Sequence, residues 1–148
     1  MHRLYPSFAR GWGAVGLLIL RVVTGAAFMF HGWYKYDGPG GPFGWMGADA
    51  SVPGLFQGMA VLAEFGGGLA LILGLLTPIA ALGIAFTMIV ALGTVHLPLG
   101  HRFVAQKHDD PSFELAAGYL ANAILLLLIG PGVFSFDAIL FGNQRRQT

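Results

Sequence analysis

Four long apolar runs dominate this sequence of 148 residues, and each is close to the length that crosses a bilayer as a helix. They cover about 13–34, 54–76, 79–97 and 113–129. A helix needs ~20 apolar residues to cross a ~30 Å hydrocarbon core, whereas a membrane strand needs only ~10 alternating ones. The runs are continuous, so the chain is predicted to be an all-α transmembrane four-helix bundle, with residues 1–148 forming a single domain.

Composition supports a membrane protein and narrows its chemistry. Hydrophobic residues make up 55% of the chain and charged residues 10%, against about 25% charged in an ordinary soluble domain. The lipid bilayer is therefore the expected environment. The net charge of +1 gives no basic field for nucleic acid. The absence of cysteine excludes thiol–disulfide chemistry, iron–sulfur clusters and covalently attached haem within this chain.

The ends of the chain indicate its orientation. The first apolar run is longer than the 7–15 residues typical of a cleavable signal and contains Arg21, so it is interpreted as a retained span. Basic residues in short connections favour the cytoplasmic side, and the count is four with the termini against three on the opposite side. The first group is Arg3, Arg10, Arg145 and Arg146, and the second is Lys35, Arg102 and Lys107. Both termini are therefore predicted to be cytoplasmic.

A short interfacial segment is predicted to follow the fourth span. Gly130, Pro131 and Gly132 interrupt the apolar pattern, and the residues after them have an amphipathic pattern. Asp137 is interpreted as a water-facing residue on this segment. The tryptophans and tyrosines are interpreted as aromatic belt residues at the membrane surface rather than as platforms for a quinone ring.

Two charged residues fall near the middle of the apolar runs. With 1.5 Å of rise per residue, Arg21 lies roughly 12 Å into the first span, and Glu64 lies about 15 Å into the second from the opposite side. A charge at mid-bilayer costs about 2.5–3.5 kcal/mol, so the sequence predicts an Arg21–Glu64 pair. Gln57 lies one heptad before Glu64. The pair either fixes helix register or forms a charged floor beneath a ligand.

Polar residues at one end of the spans form a second cluster. His31, Lys35, His96 and Glu114 fall at similar depth in an up-and-down bundle. We expect His31 and Glu114 to be catalytic by handling protons, and Arg21, Lys35, Glu64 and His96 to bind a cofactor. The alternative is an interface belt, in which Lys35 extends toward water and Glu114 favours its helix N-terminus.

Haem and metal sites have weaker support. His31 and His96 lie at similar depth and could be axial ligands of a b-type haem, but nothing else nearby favours haem. His96, His101 and His108 are spaced by five and seven residues, which matches no zinc pattern, so no metal site is assigned.

Three stretches resemble the DoxX family of small four-helix membrane proteins. They are LRVVTGAAFMFHGWYK, LAEFGGGLALILGLLTPIAAL and LLLLIGPGVFSFDAIL, and the resemblance extends over all four spans in order. Relatives often carry a basic residue where Pro78 and Val133 stand here. The resemblance implies a multi-pass protein of a prokaryotic plasma (inner) membrane, in a family named for quinol oxidation.

The resemblance sets two functional expectations. In the first, the chain is an integral membrane subunit of a quinone-linked oxidoreductase, with quinone or quinol as the cofactor. In the second, it is a non-catalytic accessory subunit that stabilises a larger membrane complex. Both imply other membrane subunits as partners and are compatible with a homo-oligomer. A transporter ranks third, because four helices form a pathway only in an oligomer.

Overall fold

The structure, a computed structural model that describes residues 8–142, is a bundle of helices. The helices are α1 (Gly11–Asp37), α2 (Gly54–Val61), α3 (Gly67–Leu73), α4 (Thr77–Ala91), α5 (Glu114–Ile129) and α6 (Phe136–Phe141). π-helical segments at Leu62–Gly66 and Leu92–His96 continue α2 into α3 and extend α4. Arg3, Arg145 and Arg146, on which the predicted orientation depends, lie outside the described residues.

The helices confirm the predicted membrane bundle. Gly11–Asp37, Gly54–Leu73 and Thr77–His96 are long and apolar enough to span a bilayer, and Glu114–Ile129 is a shorter apolar helix. The third span begins at Thr77 rather than at about 79, because Pro78 occupies its first turn, where a proline needs no hydrogen-bond donor.

The bundle core lies between two pairs of helices. α1 packs along α3, α4 packs along α5, and α3 joins the pairs by packing on α4. Phe28, Leu71, Ile84 and Leu126 are buried at the centre. Buried alanines of α4 and α5 let the helices approach closely, which matters in lipid because apolar side chains gain little by leaving it. The large apolar side chains on the outside therefore face the lipid.

The C-terminal segment folds back onto the turn between the second and third spans. Asp137 is fully buried, and its carboxylate accepts hydrogen bonds from the backbone N–H of Leu76 (2.7 Å) and Thr77 (2.8 Å). These are donors that the first turn of α4 would otherwise leave unpaired. The prediction of a water-facing Asp137 is therefore wrong, because the carboxylate caps α4.

Gly74 allows the C-terminal segment to pack closely against the turn between the second and third spans. Its φ of +65° is a left-handed conformation, and its carbonyl accepts a hydrogen bond from Asp137 N at 2.8 Å. A Cβ at this position would meet the Ser135 Cβ at 2.5 Å and would overlap the Arg21 guanidinium. Only glycine fits both the backbone conformation and the space.

We predict that Asp137→Asn destabilises the bundle. The amide replaces one acceptor oxygen with a donor that faces a backbone N–H, and losing a hydrogen bond to a buried charged acceptor costs about 2–3 kcal/mol. Thermal unfolding of the purified protein in detergent measures the change. Asp109→Asn, at an exposed position, is the control. Equal melting temperatures for the two variants would contradict the capping role.

Candidate functional site

Arg21 lies at the end of the bundle that also holds the C-terminal segment. It is fully buried, and its Nη2 donates to the carbonyl oxygen of Phe134. The carboxylate of Asp137 attracts the Arg21 guanidinium electrostatically. Helix side chains lean toward the helix N-terminus, so Arg21 reaches toward this end and away from Glu64. The predicted Arg21–Glu64 pair is accordingly not formed, although the burial of both residues agrees with the prediction that they avoid lipid.

Glu64 pairs instead with Lys35. The Lys35 Nζ lies 2.5 Å from Glu64 Oε1, and the exposed fractions of the two side chains are 23% and 4%. The same lean that moves Arg21 away carries Lys35, in the last turn of α1, back along the helix axis toward the middle of the bundle, where it meets Glu64. The other carboxylate oxygen, Glu64 Oε2, is buried and has no hydrogen-bond partner in the described part of the chain.

Local backbone structure brings this ion pair together. Glu64 sits in the π-helical segment Leu62–Gly66, a local widening that is common at functional sites. α1 passes this segment at Gly32, where an added Cβ would lie 2.7 Å from the Phe65 Cβ. The close approach requires glycine at this position, and it places Lys35, one turn farther along α1, within reach of Glu64.

An aromatic ring covers the ion pair. The Lys35 Nζ lies 4.5 Å from the centroid of the Trp45 ring, a cation–π geometry. The Trp45 indole donates in turn to the Gln57 carbonyl oxygen at 3.3 Å. Sequence reasoning treated Trp45 as a belt residue and assigned Gln57 no role. The useful signal was the buried polar position of Gln57 one heptad before Glu64.

The remaining predicted site residues lie in separate places. His31 is exposed, and its ring approaches those of Phe28 (6.2 Å between centroids) and Tyr119 (6.4 Å). His96 Nδ1 lies 3.0 Å from His101 Nδ1. Glu114 is exposed in the first turn of α5. Between residues 8 and 142, no hydrogen bond or ion pair joins these residues to Lys35 or Glu64. The structure thus brings together only Lys35 and Glu64 of the predicted set.

Metal binding finds no support in the described part of the chain, where no three histidine, aspartate or glutamate side chains group to hold an ion. The ion pair has a different chemistry. Lys35 supplies ammonium donors, and Glu64 Oε2 supplies a free acceptor that can also hold a proton. Such a site suits a polar head group that needs both a hydrogen-bond donor and a proton.

Comparison with known proteins gives consistent matches. The family model described as DoxX matches residues 16–97. The chain is 35% identical over 127 residues to the inner membrane protein YqjF of Escherichia coli (strain K12), covering 85% of this chain and 92% of the relative. It is also 35% identical over 131 residues to a Bacillus subtilis (strain 168) protein named "Putative oxidoreductase CatD", covering 88% of this chain and 91% of the relative. No solved structure matches the chain.

We predict strong coupling between Lys35 and Glu64 in a double-mutant cycle. Lys35→Met leaves a buried carboxylate unpaired and should cost about 3 kcal/mol, because removing one partner of a buried pair exposes the other to an apolar surrounding. Adding Glu64→Gln removes that charge and should recover at least half of the loss. Unfolding in detergent gives the four stabilities, and Lys107→Met is the exposed control. Additive effects of the two substitutions would contradict the pairing.

Proposed function

Since this chain belongs to the DoxX family of membrane proteins, we propose that it acts as an integral membrane subunit of a quinone-linked oxidoreductase. The observation that carries the proposal is the Lys35–Glu64 ion pair, in which the Lys35 ammonium lies against the Trp45 ring and Glu64 Oε2 is buried without a hydrogen-bond partner among the described residues. The Bacillus subtilis relative of similar length carries the name "Putative oxidoreductase CatD", which agrees with redox chemistry. Buried ionisable side chains among membrane spans commonly mark functional sites.

The residues around the ion pair fit a quinone head group. A bound quinone would supply the electron-accepting chemistry, which consumes two protons with every two electrons. Lys35 would donate a hydrogen bond to a ring carbonyl, and the Trp45 indole would lie against the ring face. Glu64 would hold and deliver a proton at Oε2, the atom that has no hydrogen-bond partner among residues 8–142.

The other predicted site residues keep secondary roles in this proposal. His31 and Glu114 are exposed on the half of the bundle that holds the ion pair, and we assign them to proton exchange with water. His96, next to His101, would lie at the rim of the same half. Arg21 is held by the C-terminal segment at the opposite end, so we remove it from the cofactor-binding set.

The proposal extends to location and partners. Because this chain has no cysteine to hold an iron–sulfur cluster, the electrons would come from a redox centre on a partner subunit. The similarity to an inner membrane protein supports a prokaryotic inner membrane location, and we propose that both termini face the cytoplasm.

Quinone binding to the purified full-length protein tests the proposed function. We expect decylubiquinone to bind the wild type, and Glu64→Gln to weaken its affinity about tenfold, because a hydrogen bond to a charged group contributes ~1.5 kcal/mol. Lys35→Met should weaken it similarly, whereas Asp109→Asn should have no effect. Displacement of a fluorescent quinone analogue in detergent measures the affinity.

Two outcomes would contradict the quinone site. One is equal affinity in the wild type, Glu64→Gln and Lys35→Met. The other is purification from native membranes with stoichiometric partner chains and no quinone. The second outcome would favour the non-catalytic accessory subunit, and exchanging the charges with Lys35→Glu and Glu64→Lys should then preserve assembly.

A further inference from the structure

The segment 38–53, here called the cap, lies over the Lys35–Glu64 pair. It leaves the end of α1, forms a short 3₁₀ turn at Gly41–Phe43 and returns to α2 at Pro53. Trp45 is the cap residue whose ring covers the Lys35 ammonium. A ligand that approaches the pair from this side must therefore displace the cap.

The cap has almost no apolar anchor. None of its residues is buried, and Phe43, whose ring lies against Gly58, is itself 63% exposed. A segment with little buried apolar surface opens at a low free-energy cost. Its closed position must depend on polar bonds.

Those bonds converge on Gln57, a buried polar residue of α2 that is 4% exposed. Its Oε1 accepts from Met46 N at 3.0 Å, and its Nε2 donates to the Val52 carbonyl at 2.9 Å. Its backbone carbonyl accepts from the Trp45 indole. Both ends of the side-chain amide are thus used to hold the cap, and neither bonds to the ion pair.

We propose that Gln57 is a positioning residue that latches the cap, with Trp45, over the Lys35–Glu64 pair, so that a ligand reaches the pair when these bonds open. The inference rests on the proposed function for the identity of the ligand, a quinone head group. The latch itself is inferred from the hydrogen bonds between Gln57 and the cap and does not depend on the identity of the ligand. Gln57 acts through Trp45 and would change how fast the site becomes accessible, without taking part in proton transfer.

The two lysines of this chain provide a direct test. Lys35 lies under the cap, and Lys107 lies exposed in the connection between the third and fourth spans. The full-length protein in detergent is treated with the water-soluble reagent sulfosuccinimidyl acetate. Mass spectrometry of peptides then gives the ratio of the Lys35 labelling rate to the Lys107 labelling rate. Dividing by the Lys107 rate removes the effects of reagent concentration and pH.

Gln57→Met should raise this ratio on the order of tenfold, since it keeps the side-chain volume and removes two hydrogen bonds that hold the cap. Gln106→Met, at an exposed site in the other connection, should leave the ratio unchanged. A purely structural role for Gln57 would lower the melting temperature and leave the ratio at the wild-type value, and that result would overturn the latch. Should Gln57→Met fail to fold, Trp45→Phe removes the indole donor to the Gln57 carbonyl and part of the ring that covers Lys35, and it should also raise the ratio.

Adding decylubiquinone separates the latch from the proposed function. If decylubiquinone slows Lys35 labelling in the wild type and Lys35 is labelled faster in Gln57→Met, both the latch and the quinone site are supported. Faster labelling in Gln57→Met without protection by the quinone upholds the latch and overturns the quinone site. If decylubiquinone slows Lys35 labelling in the wild type but Gln57→Met leaves the labelling ratio unchanged, the latch is overturned and the quinone site is supported.

Discussion

An ionised side chain inside a bilayer must find its partner within the protein, because lipid offers none, and much of this fold follows from that constraint. The chain buries an arginine in its first span and a glutamate in its second. Arg21 is accommodated by bringing the C-terminal segment back against the bundle, so that the Phe134 carbonyl and Asp137 lie near its guanidinium. Glu64 is accommodated by the end of α1, which carries Lys35 to it.

The two buried charges differ in the space around them. Among residues 8–142, the Arg21 nitrogens Nε and Nη1 also have no hydrogen-bond partner, but Gly74 lies so close to the guanidinium and to Ser135 that even a methyl group on Gly74 would not fit. No ligand can enter there without unfolding the turn. At the other end, the unpaired oxygen of Glu64 lies under a cap without buried residues. Unpaired polar atoms are thus tightly enclosed at one end of the bundle and lie beneath a weakly anchored segment at the other.

The fold was predictable from the sequence because hydrophobic length alone determines spans in lipid. The pairing of charges was not, because it depends on the direction in which side chains lean. Arg21 and Glu64 were placed at one depth by counting backbone rise, but both basic side chains of α1 lean toward the N-terminus. This moves Arg21 toward the C-terminal segment and Lys35 toward Glu64. The prediction for Asp137 was wrong for a related reason. Its carboxylate accepts hydrogen bonds from backbone N–H groups at the start of α4, about sixty residues earlier, and no local sequence pattern reveals these partners.

The charge of the ion pair limits what can bind beside it. Lys35 and Glu64 neutralise each other, so an anionic ligand would have to approach the Glu64 carboxylate in a low-dielectric setting, where like charges repel strongly. A cation would compete with Lys35 for the same carboxylate and would meet the ammonium. A neutral head group with carbonyl oxygens avoids both costs, since it accepts from Lys35 while Glu64 keeps its partner and its free oxygen. The pair therefore favours a neutral, lipid-soluble carbonyl compound over an ion, in agreement with the quinone head group that we propose.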